Sequence, residues 1–340
     1  MIKKIINGVI LSLFAFSVLN CGNKQNQKTS QNDSIVKYDS VMKEKLNQFA
    51  IFKLTTDFSK LTRKEKQMLP ILIDVAKIMD EIFWEETLGD KEEFLKTIKD
   101  DYARKFALIN YGPWERLNGD KPFIPSYGEK PAGANFYPKD MKKEEFQKLD
   151  SIERKNPYSV IRRKKDGTLE SLAYHIVFHD KIKRAAYLLK KAAEFAEDKG
   201  LKNYLNMRAD ALMDDKYQKS DFAWMDMKDN TIDFVVGPIE NYEDKLFGVK
   251  TAHEAFVLVK DKEWTKKLTK FISILPELQK GLPVDQKYKN EVPASGSDLG
   301  VYDVLYYAGD CNAASKTIAI NLPNDEEVQL KKGARRIQLK

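Results

Sequence analysis

The sequence predicts an α+β fold, a mostly helical first part followed by a mixed β core with helices. Two observations carry this. From residue 35 to about 220, apart from a long loop and a short hairpin, the apolar residues recur at intervals of three and four, the period of helices. After Asp221 they gather in short β-branched or aromatic runs bounded by Gly, Pro or Asp. Helices first and strands later is the α+β order. At 340 residues the chain is long enough to bury a large core.

The amino end reads as an export signal. Lys3 and Lys4 precede an apolar run from Ile5 to Leu19 that is too short for a comfortable membrane span. Its end, Val18-Leu19-Asn20-Cys21, resembles a bacterial lipoprotein signal cut before a lipid-modified Cys21, although Leu19 and Asn20 depart from the usual small residues. An ordinary secretory signal with a chance cysteine is the alternative. Gly22 to Ser34 is polar and without apolar period, a flexible tether. The expected parts are thus a signal at 1–21, a tether at 22–34, a helical region at 35–220 and a β region at 221–340, the last two continuous. Lipid on Cys21 would place the chain in the cell envelope, anchored to a membrane without spanning it.

Met68, Ile71, Leu72, Val75, Ile78, Met79, Ile82 and Phe83 mark the clearest helix, in which Pro70 is tolerable only within the first turn. Gly89 ends it, and Asp90 caps a helix expected over Lys91 to Ile109. Asn110 to Asp140 is a long loop whose prolines, glycines and aromatic side chains argue for an ordered, packed excursion. Met141 to Arg154 is helical, and Pro157 to Arg162 with the Lys165-Asp166-Gly167 turn suggests a hairpin. Leu169 to Met213 is expected as one long helical block broken at Gly200. Strands are expected at Ile232–Val236, Ala255–Val259, Val301–Tyr307 and Thr317–Ile320, with a helix over Glu263–Leu278 stopped by Gly281 and Pro283. The last residues, EEVQLKKGARRIQLK, carry no capping or tapering signal.

Charge and cysteine usage exclude several functions. The formal charge of +7 comes from 58 basic and 51 acidic residues spread along the chain. No Lys/Arg block with interleaved aromatics stands out, so the balance reads as solvated helix faces and not as a nucleic-acid partner. Two cysteines, one of them in the signal, exclude a disulfide framework, and Cys311 reads as a small half-buried side chain.

His175 and His179 have the i, i+4 spacing of a zinc helix, but Ile176 stands where a catalytic Glu would be. His253-Glu254 begins a similar pair, yet Val257 occupies the position of the second His. No metal-binding constellation is expected, and there is no GxSxG, P-loop or dinucleotide fingerprint.

Four residues remain. Glu240 and Tyr242 lie two apart in GPIENYEDKLFG and would share one face of a strand end; Asn321 and Asn324 follow in AINLPND, with Pro323 between them favouring a bend. A peptide ammonium has three N–H donors and no acceptor, and one carboxylate with two amide oxygens satisfies all three. A nearby phenol can donate to a substrate carbonyl and to the oxyanion formed from it. The bland alternative is that such residues at strand ends are structural or merely exposed.

GPIENYEDKLFG, HEAFVLVKDK and YDVLYYAGDCNAASKTIAINLPNDEEV resemble, in order and spacing, segments of the dipeptidyl peptidase III family of zinc metallopeptidases. NYGPWERLNGDKPF and GANFYPKDM are similar to its bacterial branch, and the likeness runs from about Phe49 to Lys340. The resemblance implies that Glu240, Asn321 and Asn324 hold the substrate's amino terminus and that Tyr242 contacts the scissile carbonyl. It implies an enzyme that releases dipeptides from short peptides lying extended in a cleft between a mixed β lobe and a mostly helical, zinc-bearing lobe. The HExxH-type segment of that family has no counterpart in this sequence, so no zinc ligand is expected here. The expectation is the substrate-binding portion of such an enzyme, with the zinc lobe in a longer or interrupted frame or in a separate chain. The alternative is a non-catalytic envelope lipoprotein that binds peptides, or an inert relic.

Overall fold

A computed structural model describes residues 38–272, 274–289 and 298–340. The expected signal, the tether and Cys21 lie outside the described residues. Met1–Phe49 and Ala50–Lys340 are two compact units. In the first, residues 38–46 are helical; all that follows concerns the second.

Its central helix, α1, spans Arg63–Thr87. Thr62 starts it through a capping box: its hydroxyl accepts from the Glu65 amide at 3.1 Å while the Glu65 carboxylate accepts from the Thr62 amide at 2.8 Å. Met68, Leu72, Val75, Met79, Ile82 and Phe83 are buried along it, as their spacing requires. Pro70 lies in the second turn and not the first, because the Thr62 box begins the helix earlier than the apolar period does. Its ring and Lys66 are both exposed, so water can take the carbonyl that lacks a partner.

The helix expected over Lys91–Ile109 is two, Lys91–Thr97 and Asp101–Asn110. Asp100 is a second capping side chain within that run, accepting from the Ala103 amide at 2.5 Å, and it starts a new helix. The long loop is packed: it holds the short hairpin β1 (Trp114–Glu115) and β2 (Lys121–Pro122), and Trp114, Phe123, Phe136 and Tyr137 are buried. Two short helices follow, Lys143–Gln147 and Ser151–Lys155.

Strands β3 (Ser159–Arg163) and β4 (Leu169–Ala173) form the expected hairpin. The predicted helical block therefore begins five residues late, because pairing with β3 holds Leu169–Ala173 extended. A single helical turn, Tyr174–Val177, leads into α2 (His179–Phe195) and α3 (Lys199–Asp214). The chain is still helical in α4 (Gln218–Asp226), past the expected switch at Asp221.

Five strands make the mixed sheet: β5 (Ile232–Glu240), β6 (Ala252–Lys260), β7 (Asp298–Gly309), β8 (Ala319–Leu322) and β9 (Arg335–Leu339), in the order β5-β6-β7-β9-β8. All neighbours are antiparallel except β7 and β9. Helix α1 packs between this sheet and α2. With both faces covered, β6 is buried from Ala252 to Val259 and reads as an unbroken run. Two helices, Lys262–Ile272 and Leu275–Lys280, replace the single one expected before β7.

The final residues form a capped helix and a strand, although no capping signal is read in them. Asp325 caps α5 (Glu326–Lys332), and β9 then inserts between β7 and β8 with Arg335, Ile337 and Leu339 inward. Arg335 donates to Asp233 at 3.0 Å and lies over the Trp224 ring. An arginine at an inward position disguises the alternation of that strand. Among the described residues no helix is long and apolar enough to cross a membrane.

Candidate functional site

The site begins where β5 ends. Gly237 has a φ of +132°, and the pairing with β6 shifts between Pro238 and Glu240. Pro238 is tolerated because β5 is an edge strand, and the bulge turns the following side chains away from the regular pleat. Glu240 is half-buried and Tyr242 is 72% exposed.

The turn after Glu240 is held from below by two buried acids. Asp244 accepts from the amides of Leu246, Phe247, Val249 and Lys250 at 2.9–3.1 Å and from the Tyr137 hydroxyl at 2.7 Å. Glu243 accepts from Arg116 at 2.6 Å and lies 2.6 Å from the Lys130 ammonium. Burial alone would raise the Glu243 carboxyl, but Arg116 and Lys130 outweigh it and hold it below the usual carboxylate range. Tyr137, Arg116 and Lys130 all come from the long loop of residues 111–142, which thus serves as a clamp on this turn.

On the far edge of the sheet, β8 carries Asn321 and leads through a cis Leu322–Pro323 bond to Asn324. Leu322 is buried, and the Pro323 carbonyl accepts from Gln329 Nε2 of α5 at 2.6 Å. Asn321 and Asn324 are exposed. Strands β5 and β8 are the outermost of the five, yet Asn324 Nδ2 donates to the Ile239 carbonyl at 3.1 Å. The sheet therefore curls until its two edges meet, and the sequence-predicted residues come together at that seam.

Two cavities adjoin there, with Glu240, Tyr242 and Asn324 in the wall of both. One, of about 480 Å³, runs under Tyr158, Tyr204, Tyr217 and the buried Arg208–Asp221 ion pair. The other, of about 620 Å³, also takes in Asn321 and is acidic, with Asp120, Glu254 and Asp310 facing it. Burial raises the Glu240 carboxyl, opposed by the Asn324 amide. Burial, with Glu243 and Glu240 nearby, pushes Asp310 up to about 7. Glu254 is raised further by burial and by Asp310.

Glu254 and Asp310 were not among the predicted residues. The available signal was a charge inside the apolar run AHEAFVLV and another beside Gly309 in YYAGDC. Gly309 has a φ of +72°, and a Cβ there would come within 2.1 Å of the His253 carbonyl, so only glycine allows the chain to turn and present Asp310. His253 and Glu254 are neighbours on β6 and take opposite directions, as alternation demands. His253 bonds to Glu86 of α1 at 2.6 Å, while Glu254 faces the cavity.

The other histidines do not meet. Phe178 separates two helices between them; His175 pairs with Asp215 at 2.7 Å, and His179 lies exposed beside Asp180. Among the described residues no group of three or more His, Cys, Asp or Glu could hold a metal ion. They do not fit zinc. Cys311 is buried and donates to the Ala308 carbonyl at 3.2 Å, more enclosed than expected.

Residues 154–340 match the family model "Peptidase family M49". The chain is similar to "Nudix hydrolase 3" of Arabidopsis thaliana, with 28% identity over 88% of this chain and 46% of that protein. It is similar in structure to DPP III from Caldithrix abyssi, at 41% identity and a TM-score of 0.82 over 87% of this chain and 59% of that one. It is also similar to dipeptidyl-peptidase III from Corallococcus sp. strain EGB, at 33% identity and a TM-score of 0.80 over 88% of this chain and 58% of that one. The chain thus spans about half the length of the curated relative and under two thirds of the two solved chains.

Proposed function

The chain belongs to peptidase family M49, and from that membership and the seam between β5 and β8 we propose that Ala50–Lys340 is the peptide-binding side of a dipeptidyl peptidase III-like hydrolase. The substrate is a short peptide with a free amino end. Glu240 neutralises its ammonium, and the side-chain oxygens of Asn321 and Asn324 take the remaining N–H groups. The observation that carries this reading is the Asn324–Ile239 hydrogen bond. It ties Asn324 to the end of β5 beside Glu240, and its amide oxygen, which makes neither of these contacts, is the acceptor offered to the ammonium. The exposed phenol of Tyr242 donates to the peptide carbonyl, and the peptide extends along β8, an outermost strand of the sheet. No hydrolytic step is assigned to the described residues. The chain is held at a cell-envelope membrane by an acylated Cys21.

Calorimetry with short peptides tests the pocket. Binding that is lost on N-acetylation, and that falls by about 2–4 kcal/mol in Glu240→Ala, is expected. Equal affinity for acetylated and free peptides would overturn it. Turnover of a dipeptidyl-arylamide by this chain, abolished by chelator, would show a metal site outside the described residues. Acylation is read from the mass of the membrane-bound chain, and Cys21→Ser should release it.

A further inference from the structure

Between β6 and β7 the chain makes an unusual surface. Asp261 caps the helix Lys262–Ile272 by accepting from the Trp264 amide at 3.0 Å, and Thr265 accepts from the Val301 amide of β7 at 3.0 Å. That fixes the inner side of the helix against the sheet. Trp264 and Phe271, one heptad apart and so on one side of the helix, are 50% and 58% exposed; in the next helix Leu278 is also exposed. Large apolar side chains clustered in water mark a surface that is covered in use.

The charge around them is one-sided. Residues 262–289 hold seven lysines against Glu263, Glu277 and Asp285, and Glu263 is already paired with Lys60 at 3.3 Å. The Lys267 ammonium lies over the Trp264 ring, 4.5 Å from its centroid. Aromatic and aliphatic groups within a lysine border lie readily in the plane of a lipid interface, where the stems bury and the ammonium groups reach the headgroups.

We propose that this face rests on an anionic lipid surface. Charge decides between occupants. A second copy would bring lysine rows against lysine rows, whereas anionic headgroups neutralise them. The inference does not depend on acylation, nor on what the cavities bind.

Trp264 reports on itself. The other three tryptophans, Trp84, Trp114 and Trp224, are 1%, 6% and 4% exposed, so acrylamide quenching reads Trp264 almost alone. The full chain carrying Cys21→Ser, which removes the acyl group, is mixed with vesicles of phosphatidylcholine and with vesicles that also contain phosphatidylglycerol. Only the anionic vesicles should shield Trp264 severalfold and shift its emission to the blue, with reversal by salt. Lys267→Gln with Lys270→Gln, the helix lysines nearest the Trp264 side, should weaken that partitioning roughly 25-fold, about fivefold for each lysine. Both side chains are exposed, so the variant should keep its near-ultraviolet spectrum. Trp264 equally quenched on both kinds of vesicle overturns the proposal, including where the amino end binds them. So does shielding that rises with protein concentration in the absence of lipid, which would assign the face to a second copy.

Discussion

Asn324 Nδ2 donates to the carbonyl of Ile239 at 3.1 Å, joining two residues 85 positions apart on opposite edges of one sheet. This bond closes the curl and brings an acid and two amides into a common wall. Asn324→Ala should lower the affinity for free-amino peptides by about 1.5–3 kcal/mol, the worth of a hydrogen bond to a charged group. Since Asn324 is exposed, thermal unfolding should move little. Calorimetry beside a melting curve checks both; a large stability loss with unchanged affinity would make the residue a structural tie only.

Peptide binding should weaken in acid. Burial raises the Glu240 carboxyl above the usual glutamate range, and only its ionised form compensates an ammonium. Affinity should therefore begin to fall at a pH above that of an ordinary glutamate, and Glu240→Gln should be weak and flat across the range. Calorimetric titrations from pH 4 to 8 show which curve holds.

A cation entering the acidic cavity should also expel protons. Asp310, pushed up to about 7, is partly protonated at neutral pH, and an ammonium nearby favours its charged form. Binding enthalpies measured at pH 7 in buffers of different ionisation heat should show net proton release, absent in Asp310→Asn. Identical enthalpies in all buffers for the unsubstituted chain would contradict this.

Glu243→Gln should destabilise the fold by about 3–5 kcal/mol, because it removes the carboxylate from Arg116 and leaves Lys130 only the more distant Asp120, at 3.8 Å. The Glu243 carboxyl is held below its ordinary range, so its contribution is present at neutral pH and is lost as pH falls through the lowered value. Urea unfolding at pH 7 measures the loss. A shift under 1 kcal/mol would mean that the long loop is not a clamp.

What could be read from the chain depended on the range of the interaction. The α1 period and the strand runs are local; three runs lie within strands as expected, and the one expected at Thr317–Ile320 enters its strand two residues later, at Ala319. Glu240 with Tyr242 and Asn321 with Asn324 stood out as pairs, and all four line the second cavity. The seam itself was invisible, since it depends on how far five strands curl. Glu254 and Asp310 look like strays in apolar runs until β6 and β7 place them together. Asp100 was missed because a cap within a helical period looks like any polar residue, and β9 was missed because Arg335 finds its partner, Asp233, on β5.

Asp310 should make the protein less stable as pH rises. Its folded-state carboxyl is raised to about 7 from 3.8, so between those values the folded chain holds a proton that the unfolded chain has released. Stability changes with pH as the unfolded minus the folded proton count, which is negative here. The contribution is complete below about pH 4, is lost as pH rises through about 7, and is level above that. Asparagine cannot ionise, so Asp310→Asn should flatten this fall and leave the variant about 2–4 kcal/mol more stable than the parent at pH 8. Glu243 and Glu240, which push the carboxyl up, and Arg116 and Lys130, which pull it down, are unchanged in that variant. Urea unfolding at pH 5 and pH 8 decides it: equal losses in parent and variant would place Asp310 in water and remove it from the cavity's charge balance.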